Sequence, residues 1–153
     1  MCFWCCDKNI PESTATKFIF KPNGRRFITG ISDSYEVKYY EELKPYIEKK
    51  KFILTLRRLI EGFNIMWPCD FCFYCGYTCS ICTLGLSFCC PNICISDALS
   101  SFLNDIDRVN KSLFNELKLN ISLQRSCFTS WIEVRVIDGN DTNENNLLEV
   151  NVS

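Results

Sequence analysis

Histidine is absent from this chain of 153 residues. Its absence excludes Ser-His and Cys-His nucleophile pairs, Cys2His2 zinc sites and histidine general bases, because each of them needs an imidazole. The carboxylates lie mostly in amphipathic stretches and in the tail, and no close pair has the apolar setting that would drive two pKa values apart. The sequence shows no catalytic constellation, so we expect a chain that is not an enzyme and has no small-molecule substrate.

A large excess of one charge is also missing. The net charge is -1, whereas 47% of the residues are hydrophobic. This balance gives no global attraction for nucleic acid and supplies enough apolar material for a core. At about 100 to 200 residues per domain, one core is expected.

Cysteine is abundant but unevenly placed. Three of the twelve cysteines (Cys2, Cys5 and Cys6) crowd the N-terminus, eight fall between Cys69 and Cys94, and Cys127 stands alone. Such clustering does not suit a disulfide-stapled secreted domain, and the N-terminus lacks the charged and apolar regions of a signal peptide. We therefore expect a reducing, cytosolic location.

Hairpin and helix patterns appear in the first half of the chain. The apolar runs 17–20 and 27–31 flank Asn23-Gly24, which is a β-hairpin signal. Over residues 48–64 the apolar positions repeat at helical spacing, which predicts an amphipathic helix with a basic flank. Those cations fit either a solvated helix face or a contact with anionic lipid or a protein partner.

A second helix and a strand are predicted in the second half. Ser96-Asp97 has N-cap character, and an apolar stripe follows to Leu117. Residues 131–137 alternate so that Ile132, Val134 and Val136 share a face, as in a half-buried strand. The expected fold is α+β: a small antiparallel sheet, made of the N-terminal hairpin and the C-terminal strand, packed by two amphipathic helices.

The cysteine-rich hydrophobic segment, residues 67–95, lies between those helices. One interpretation is a metal centre, because Cys69, Cys72, Cys75 and Cys79 have the spacing of a ferredoxin loop, and Cys69/Cys72 with Cys79/Cys82 could bind zinc. Against it, Ser80 follows the fourth cysteine, four further cysteines are left over, and the segment is rich in aromatic and aliphatic residues.

A transmembrane helix is the second interpretation. Residues 71–95 carry no charge and are long enough to cross a bilayer. Gly76, Gly85 and Pro91-Asn92 interrupt the segment, and many of its residues are Cys, Ser or Thr, so a re-entrant or interfacial segment fits better.

S-acylation is the third interpretation and the one we favour. Each buried acyl methylene contributes about 0.8 kcal/mol of membrane affinity, and stable anchoring usually takes two signals. We therefore expect two groups of acylated cysteines that reinforce each other, and apolar side chains beside them that contact lipid. The candidate acylation sites are Cys79, Cys82, Cys89, Cys90, Cys2, Cys5 and Cys6, and the candidate lipid contacts are Phe71, Phe73, Tyr74, Leu84, Leu86 and Phe88.

The chain also resembles a known family. The run Cys79-Ser-Ile-Cys-Thr-Leu-Gly85, continued by Pro91-Asn-Ile-Cys-Ile-Ser96, looks like the cysteine-rich hydrophobic domain (CHIC) proteins. The order of hairpin, helix, Cys-x-x-Cys, long helix and Ile132-Glu-Val-Arg-Val136 is similar to the golgin subfamily A member 7 and effector-of-Ras-function family, over residues 17–138.

The resemblance implies a non-catalytic accessory subunit of a DHHC palmitoyltransferase, with Ras-type GTPases as clients. In that family the acylated cysteine pair corresponds to Cys79 and Cys82. The implied location is the cytosolic face of endoplasmic reticulum, Golgi or vesicle membranes, or the plasma membrane. An acylated CHIC-type adaptor in trafficking, acting without a transferase, is the alternative, and no cofactor other than a covalent acyl group is expected.

Three regions are expected along the chain: a cysteine-containing N-terminal anchor segment (1–16), the family-like domain (17–138) and a polar tail (139–153).

Overall fold

The computed structural model describes residues 10–27, 29–68, 70–79, 89–126 and 128–137, except the side chains of Cys72, Phe73, Tyr77, Cys89 and Cys90. Three strands and three helices make up the described fold. They are β1 (Lys17–Phe20), α1 (Lys49–Ile65), α2 (Asp70–Thr78), α3 (Cys89–Val109), β2 (Leu119–Ser126) and β3 (Thr129–Val136), with a 3-10 turn at Glu41–Leu43 and a π-helical turn at Asn110–Phe114. The predicted α+β class, with a small antiparallel sheet packed by helices, is confirmed.

The sheet is antiparallel, in the order β1-β3-β2. Val134, on the central strand, lies opposite Phe18 on one side and Ile121 on the other. Because alternate side chains of a strand point to the same face, these three residues line one face of the sheet. All three are buried in the main core.

The predicted pairing of residues 17–20 with 27–31 is wrong. The partner of β1 is β3, and residues 21–36 form an irregular hairpin of their own, with bridges at Pro22–Tyr35 and Arg26–Ser32. Its tip lies at residues 27–31, where the Gly30 N–H donates to the Phe27 carbonyl. The Asn-Gly pair therefore lies along one arm of this hairpin instead of forming its turn.

Gly30 fixes this hairpin on the sheet. Its φ is +82°, and a Cβ at this position would lie 2.2 Å from the Phe128 carbonyl carbon, in the turn between β2 and β3. The Ser130 hydroxyl donates to the Gly30 carbonyl at 3.0 Å and also shares a 2.8 Å hydrogen bond with the buried Tyr35 hydroxyl. Burial raises the pKa of Tyr35, although the bond to Ser130 acts in the opposite direction. The hairpin is thus held by backbone proximity and by a buried polar pair.

The helix predicted over residues 48–64 is confirmed as α1. Its buried residues follow the expected helical spacing and belong to the main core: Phe52, Leu56, Leu59, Ile60 and Phe63. The predicted basic flank lies on the exposed side.

The second helix differs from the prediction at both ends. It begins at Cys89, so Ser96 lies inside α3 and is not its N-cap. Pro91 occupies the first turn, where the N–H that proline lacks has no intrahelical acceptor, and proline is tolerated there. At the other end, α-helical hydrogen bonding ends at Val109, and a π-helical turn follows from Asn110 to Phe114. Leu103, placed in the apolar stripe by its spacing, is 42% exposed.

Helices α1 and α3 pack against each other in antiparallel orientation. The Phe52 ring stacks on Phe114 with centroids 6.3 Å apart, and the Phe63 ring lies 4.7 Å from Phe102. Residues later in α1 therefore lie beside residues earlier in α3. In this register the end of α1 lies level with about Leu99, so the first two to three turns of α3 extend beyond it by about 15 Å, at 1.5 Å per residue.

Strand β3 is covered on both faces, whereas the alternation predicted a half-buried strand. Ile132, Val134 and Val136 face the main core as expected, but Trp131 and Glu133 are buried too. On this second face Trp131 packs with Ile19 and Ile10. The central position of β3 in the sheet accounts for this coverage.

Candidate functional site: the apolar end

The end of the molecule beyond α1 carries exposed apolar side chains. Helix α2 follows α1 after a short connection and packs against α3. The exposed fractions are 84% for Ile65, 77% for Phe71 and 60% for both Tyr74 and Ile93. Met66 is exposed as well. We call this surface, formed by Ile65, Met66, Phe71, Tyr74 and Ile93, the apolar end.

Three described thiols belong to the elements that carry these apolar side chains or directly follow them. Cys79 follows the last residue of α2 and is exposed, and its N–H donates to the Cys75 carbonyl at 2.9 Å. Cys94 is exposed one residue after Ile93 in α3, whereas Cys75 is half-buried. All three are thiols and not disulfides. A sulfur atom at Cys79 or Cys94 is therefore accessible to a reagent from outside the protein.

Asp70 is the charged residue of α2, and it is tied to the rest of the fold. Its carboxylate forms an ion pair with the Arg25 guanidinium, which also donates through Nε to Asp33 at 2.9 Å. The Arg25 N–H donates to the same Asp33 carboxylate at 2.8 Å. Hydrogen bonds to Asp70 and then to Asp33 raise the pKa of Arg25. This arrangement docks the start of α2 on the hairpin 21–36. The sequence after Asp70 contains no charged residue up to Ile95.

Several predicted site residues are placed at this end. Phe71 and Tyr74, three residues apart on α2, are both strongly exposed, and Cys79 follows the end of the helix, five residues after Tyr74. The backbone of Cys89 and Cys90 forms the start of α3, and the backbone of Phe73 lies in α2. The remaining predicted site residues lie outside the described residues: Cys2, Cys5, Cys6, Cys82, Leu84, Leu86 and Phe88.

Sequence reasoning missed three members of the apolar end, Ile65, Met66 and Ile93, and also the exposed Cys94. Ile65 could have been noticed, because it is a large aliphatic residue that falls outside the apolar stripe of α1. Ile93 and Cys94 were not assigned to a helix, since Ser96 was taken as the helix start. Once α3 is extended back to Cys89, both residues lie on its outer surface while Ile95 is buried.

Two alternative interpretations of the segment can be compared with the described residues. Among them, no group of three or more Cys, Asp or Glu side chains is arranged to hold a metal ion. The proposed ligands Cys69 and Cys82, and the side chain of Cys72, lie outside the description. Within the same residues, no helix combines the length and the apolar composition that a bilayer span requires.

Comparisons of the chain with protein-family models, with curated proteins and with solved structures found no match.

The geometry of the apolar end defines what it can do chemically. Exposed aromatic and aliphatic groups favour transfer from water into an apolar phase, and a contiguous patch of them marks a surface for a membrane or a protein partner. Accessible thiols within such a patch can accept acyl groups, and an acyl chain attached there would enter the same apolar phase.

Proposed function

We propose that this chain is a non-catalytic, membrane-associated accessory subunit of a DHHC palmitoyltransferase. Its role is to bind the enzyme at a membrane and to promote the acylation and membrane targeting of client proteins such as Ras-type GTPases. The observation that carries the proposal is the exposed Cys79 thiol directly after α2, the helix that exposes Phe71 and Tyr74, in a stretch of sequence without charged residues.

The apolar end supports membrane association for an energetic reason. Fully burying a large apolar side chain contributes about 1.5 to 3 kcal/mol, and Phe71 and Ile93 keep more than half of their surface exposed. The apolar side chains provide one membrane-binding signal. An acyl chain on Cys79 would provide the second signal that stable anchoring to a membrane requires.

The accessory role is supported by what the chain contains and lacks. Without histidine it cannot supply an Asp-His-His-Cys motif, so transfer of the acyl group would take place in the partner. The resemblance of the Cys79–Gly85 run and of the element order to the accessory-subunit family is the reason for naming a DHHC enzyme as that partner.

Acylation is tested by hydroxylamine-sensitive acyl exchange on the full chain expressed in eukaryotic cells. We expect a thioester signal that falls in a Cys79→Ser variant and is retained in Cys75→Ser, a matched control because Cys75 is half-buried four residues earlier in α2. Absence of any thioester, together with stoichiometric iron or zinc in the purified protein, would instead support the metal interpretation.

The partner is tested by co-expression with a DHHC palmitoyltransferase. We expect the two chains to copurify and the rate of acylation of a Ras-type substrate to rise. An acylated chain that neither copurifies with the enzyme nor alters its rate would favour the adaptor without a transferase.

The lipid contacts are tested by membrane fractionation of a Phe71→Ser/Ile93→Ser variant. Loss of two apolar anchors should reduce the membrane-bound to soluble ratio by at least about tenfold. Leu103→Ser/Phe128→Ser is the matched control, because both residues are exposed and belong to other elements of the surface, the second half of α3 and the turn between β2 and β3. Equal loss in both variants would contradict the assignment of this end.

A further inference from the structure

The outward face of α1 is a strip of cations. Lys50, Lys51, Arg57 and Arg58 are all exposed, and all lie within one turn of Leu54, which is itself 51% exposed. Glu61 is the acidic residue on this side of the helix. We call these four cations, together with Leu54, the basic face.

These cations differ in their pairing from those at the end of α3 and in the π-helical turn after it. Arg108 of α3 pairs with Asp105 at 3.3 Å, and Lys111 of the π-helical turn pairs with Asp107 at 2.6 Å. Among the described residues, no carboxylate lies within ion-pairing distance of the four cations of the basic face. Their charge is therefore available to an external anion.

The basic face continues into the apolar end. Leu54 and Ile65 are separated by about three helical turns, which places both on the same side of α1. The distance between them along the axis is about 16 Å at 1.5 Å per residue. A flat surface that contacts Ile65 can therefore also contact Leu54 and the cations around it.

We propose that the basic face binds the anionic headgroups of a membrane, so that α1 lies along the bilayer surface while the apolar end enters it. This inference rests on the membrane placement in the proposed function and adds the lipid chemistry and the orientation. The cations are spread along two turns of a convex helix, which suits a layer of phosphate and carboxylate headgroups. Leu54 and Ile65 are exposed on the same side of α1 as the cations, and these apolar side chains favour a lipid surface over an acidic polypeptide.

The test uses the full chain prepared without acyl groups, with mass spectrometry confirming their absence. Co-sedimentation is measured with vesicles of phosphatidylcholine alone and of phosphatidylcholine mixed with phosphatidylserine. We expect stronger binding to the mixed vesicles and a marked decrease in high salt, because the Debye length shortens from about 8 Å at physiological ionic strength to about 3 Å in molar salt.

A Lys50→Gln/Lys51→Gln/Arg57→Gln variant removes three cations from the basic face. Each cation near an anionic surface is worth about fivefold in binding, so affinity for the mixed vesicles should fall by about 100-fold. The matched control is Lys21→Gln/Lys44→Gln/Arg125→Gln, which loses the same charge from exposed positions elsewhere. Its affinity should fall by less than about fivefold, the value of a single cation held near the surface.

Three results would overturn the inference. They are equal binding of the unaltered chain to both vesicle types, equal losses in the two variants, and displacement from the mixed vesicles by soluble polyglutamate at the same carboxylate concentration. The last would assign the basic face to an acidic polypeptide. Failure of the proposed function has a different signature, namely absent thioesters and no enzyme partner while the preference for anionic vesicles persists.

Discussion

Removing the charge of Glu133 tests how the central strand is stabilised. The Glu133 side chain is 1% exposed, and the Lys17 ammonium lies 2.9 Å from its Oε2. Arg135 donates through Nε to Oε1. Burial by itself raises the pKa of this carboxyl, but the hydrogen bonds from Lys17 and Arg135 outweigh it, and the net effect is a lowered pKa.

The expected cost of Glu133→Gln at neutral pH is about 2 kcal/mol of unfolding free energy. Hydrogen bonds to a charged group contribute about 1.5 to 3 kcal/mol. The larger cost of breaking a fully buried ion pair does not apply, because the side chains of Lys17 and Arg135 are 33% and 51% exposed and can be solvated when the carboxylate is removed. Glutamine keeps the shape of the side chain, so the loss reports on charge more than on packing.

The lowered pKa of Glu133 also predicts how the stability difference between the two chains changes with pH. Because the folded-state pKa of Glu133 is lowered, its contribution to stability is present above the unfolded-state pKa of about 4.3 and is lost as the pH falls through the folded-state value. Urea denaturation followed by tryptophan fluorescence should therefore show a gap between the unaltered chain and Glu133→Gln at pH 7 that narrows below about pH 4.

An exposed carboxylate provides the control. Glu116→Gln should change the unfolding free energy by less than about 0.5 kcal/mol at either pH. A gap for Glu133→Gln that stays constant down to acid pH would refute the electrostatic reasoning, since it would attribute the loss to packing. Equal unfolding free energies at pH 7 would show that the ion pairs of Glu133 only compensate for the cost of burying its charge.

Three further predictions concern the positioning of the elements. Arg25→Gln removes the tie between Asp33 and Asp70, so hydrogen exchange over residues 70–78 should accelerate while global stability falls by about 1 kcal/mol, the range of a largely exposed pair; unchanged exchange in α2 would contradict this docking. The Asn110 carboxamide donates to the Ile121 carbonyl at 2.8 Å and accepts from its N–H at 2.9 Å, so Asn110→Ala should cost about 1 to 3 kcal/mol in urea denaturation, and a smaller loss would mean that water replaces both bonds. Gly30→Ala should cost more than about 2 kcal/mol by thermal unfolding, because its Cβ would meet the backbone at Phe128 and the φ is positive. Gly62→Ala in α1 should be neutral or stabilising, because its Cβ would make an ordinary van der Waals contact with the Asp105 carboxylate at 3.9 Å.

Local periodicity determined α1 and the core face of β3. The spacing of Phe52, Leu56, Leu59 and Phe63 is a property of the chain itself, and any partner that buries one side of the helix satisfies it. The alternation of Ile132, Val134 and Val136 works in the same way for the strand. The Ile132–Val136 string that carries part of the family resemblance also has a structural explanation, because its Glu133 and Arg135 pair on the second face.

Pairing partners were decided only by the tertiary structure. A strand such as β1 can bond to any neighbour with a compatible edge, and here β3, more than a hundred residues away, replaced the nearby run 27–31. Strand β2 was not predicted, because Leu119, Ile121 and Leu123 follow so closely on the helical stripe that the change of period was missed.

The candidate site also has features that the sequence predicts and features that only the tertiary structure decides. The sequence by itself established that residues 71–95 carry no charge and are dense in cysteine, and that the chain contains no histidine. From the first feature we predicted lipid contacts, and from the second we predicted that acyl transfer takes place in a partner. Which of those residues face outward depended on packing that no local pattern encodes: the antiparallel register of α1 and α3, the early start of α3 before Pro91 and the Arg25–Asp70 tie. Exposure is a property of the assembled surface, and for that reason Ile65 and Ile93 were recognised only in the folded chain.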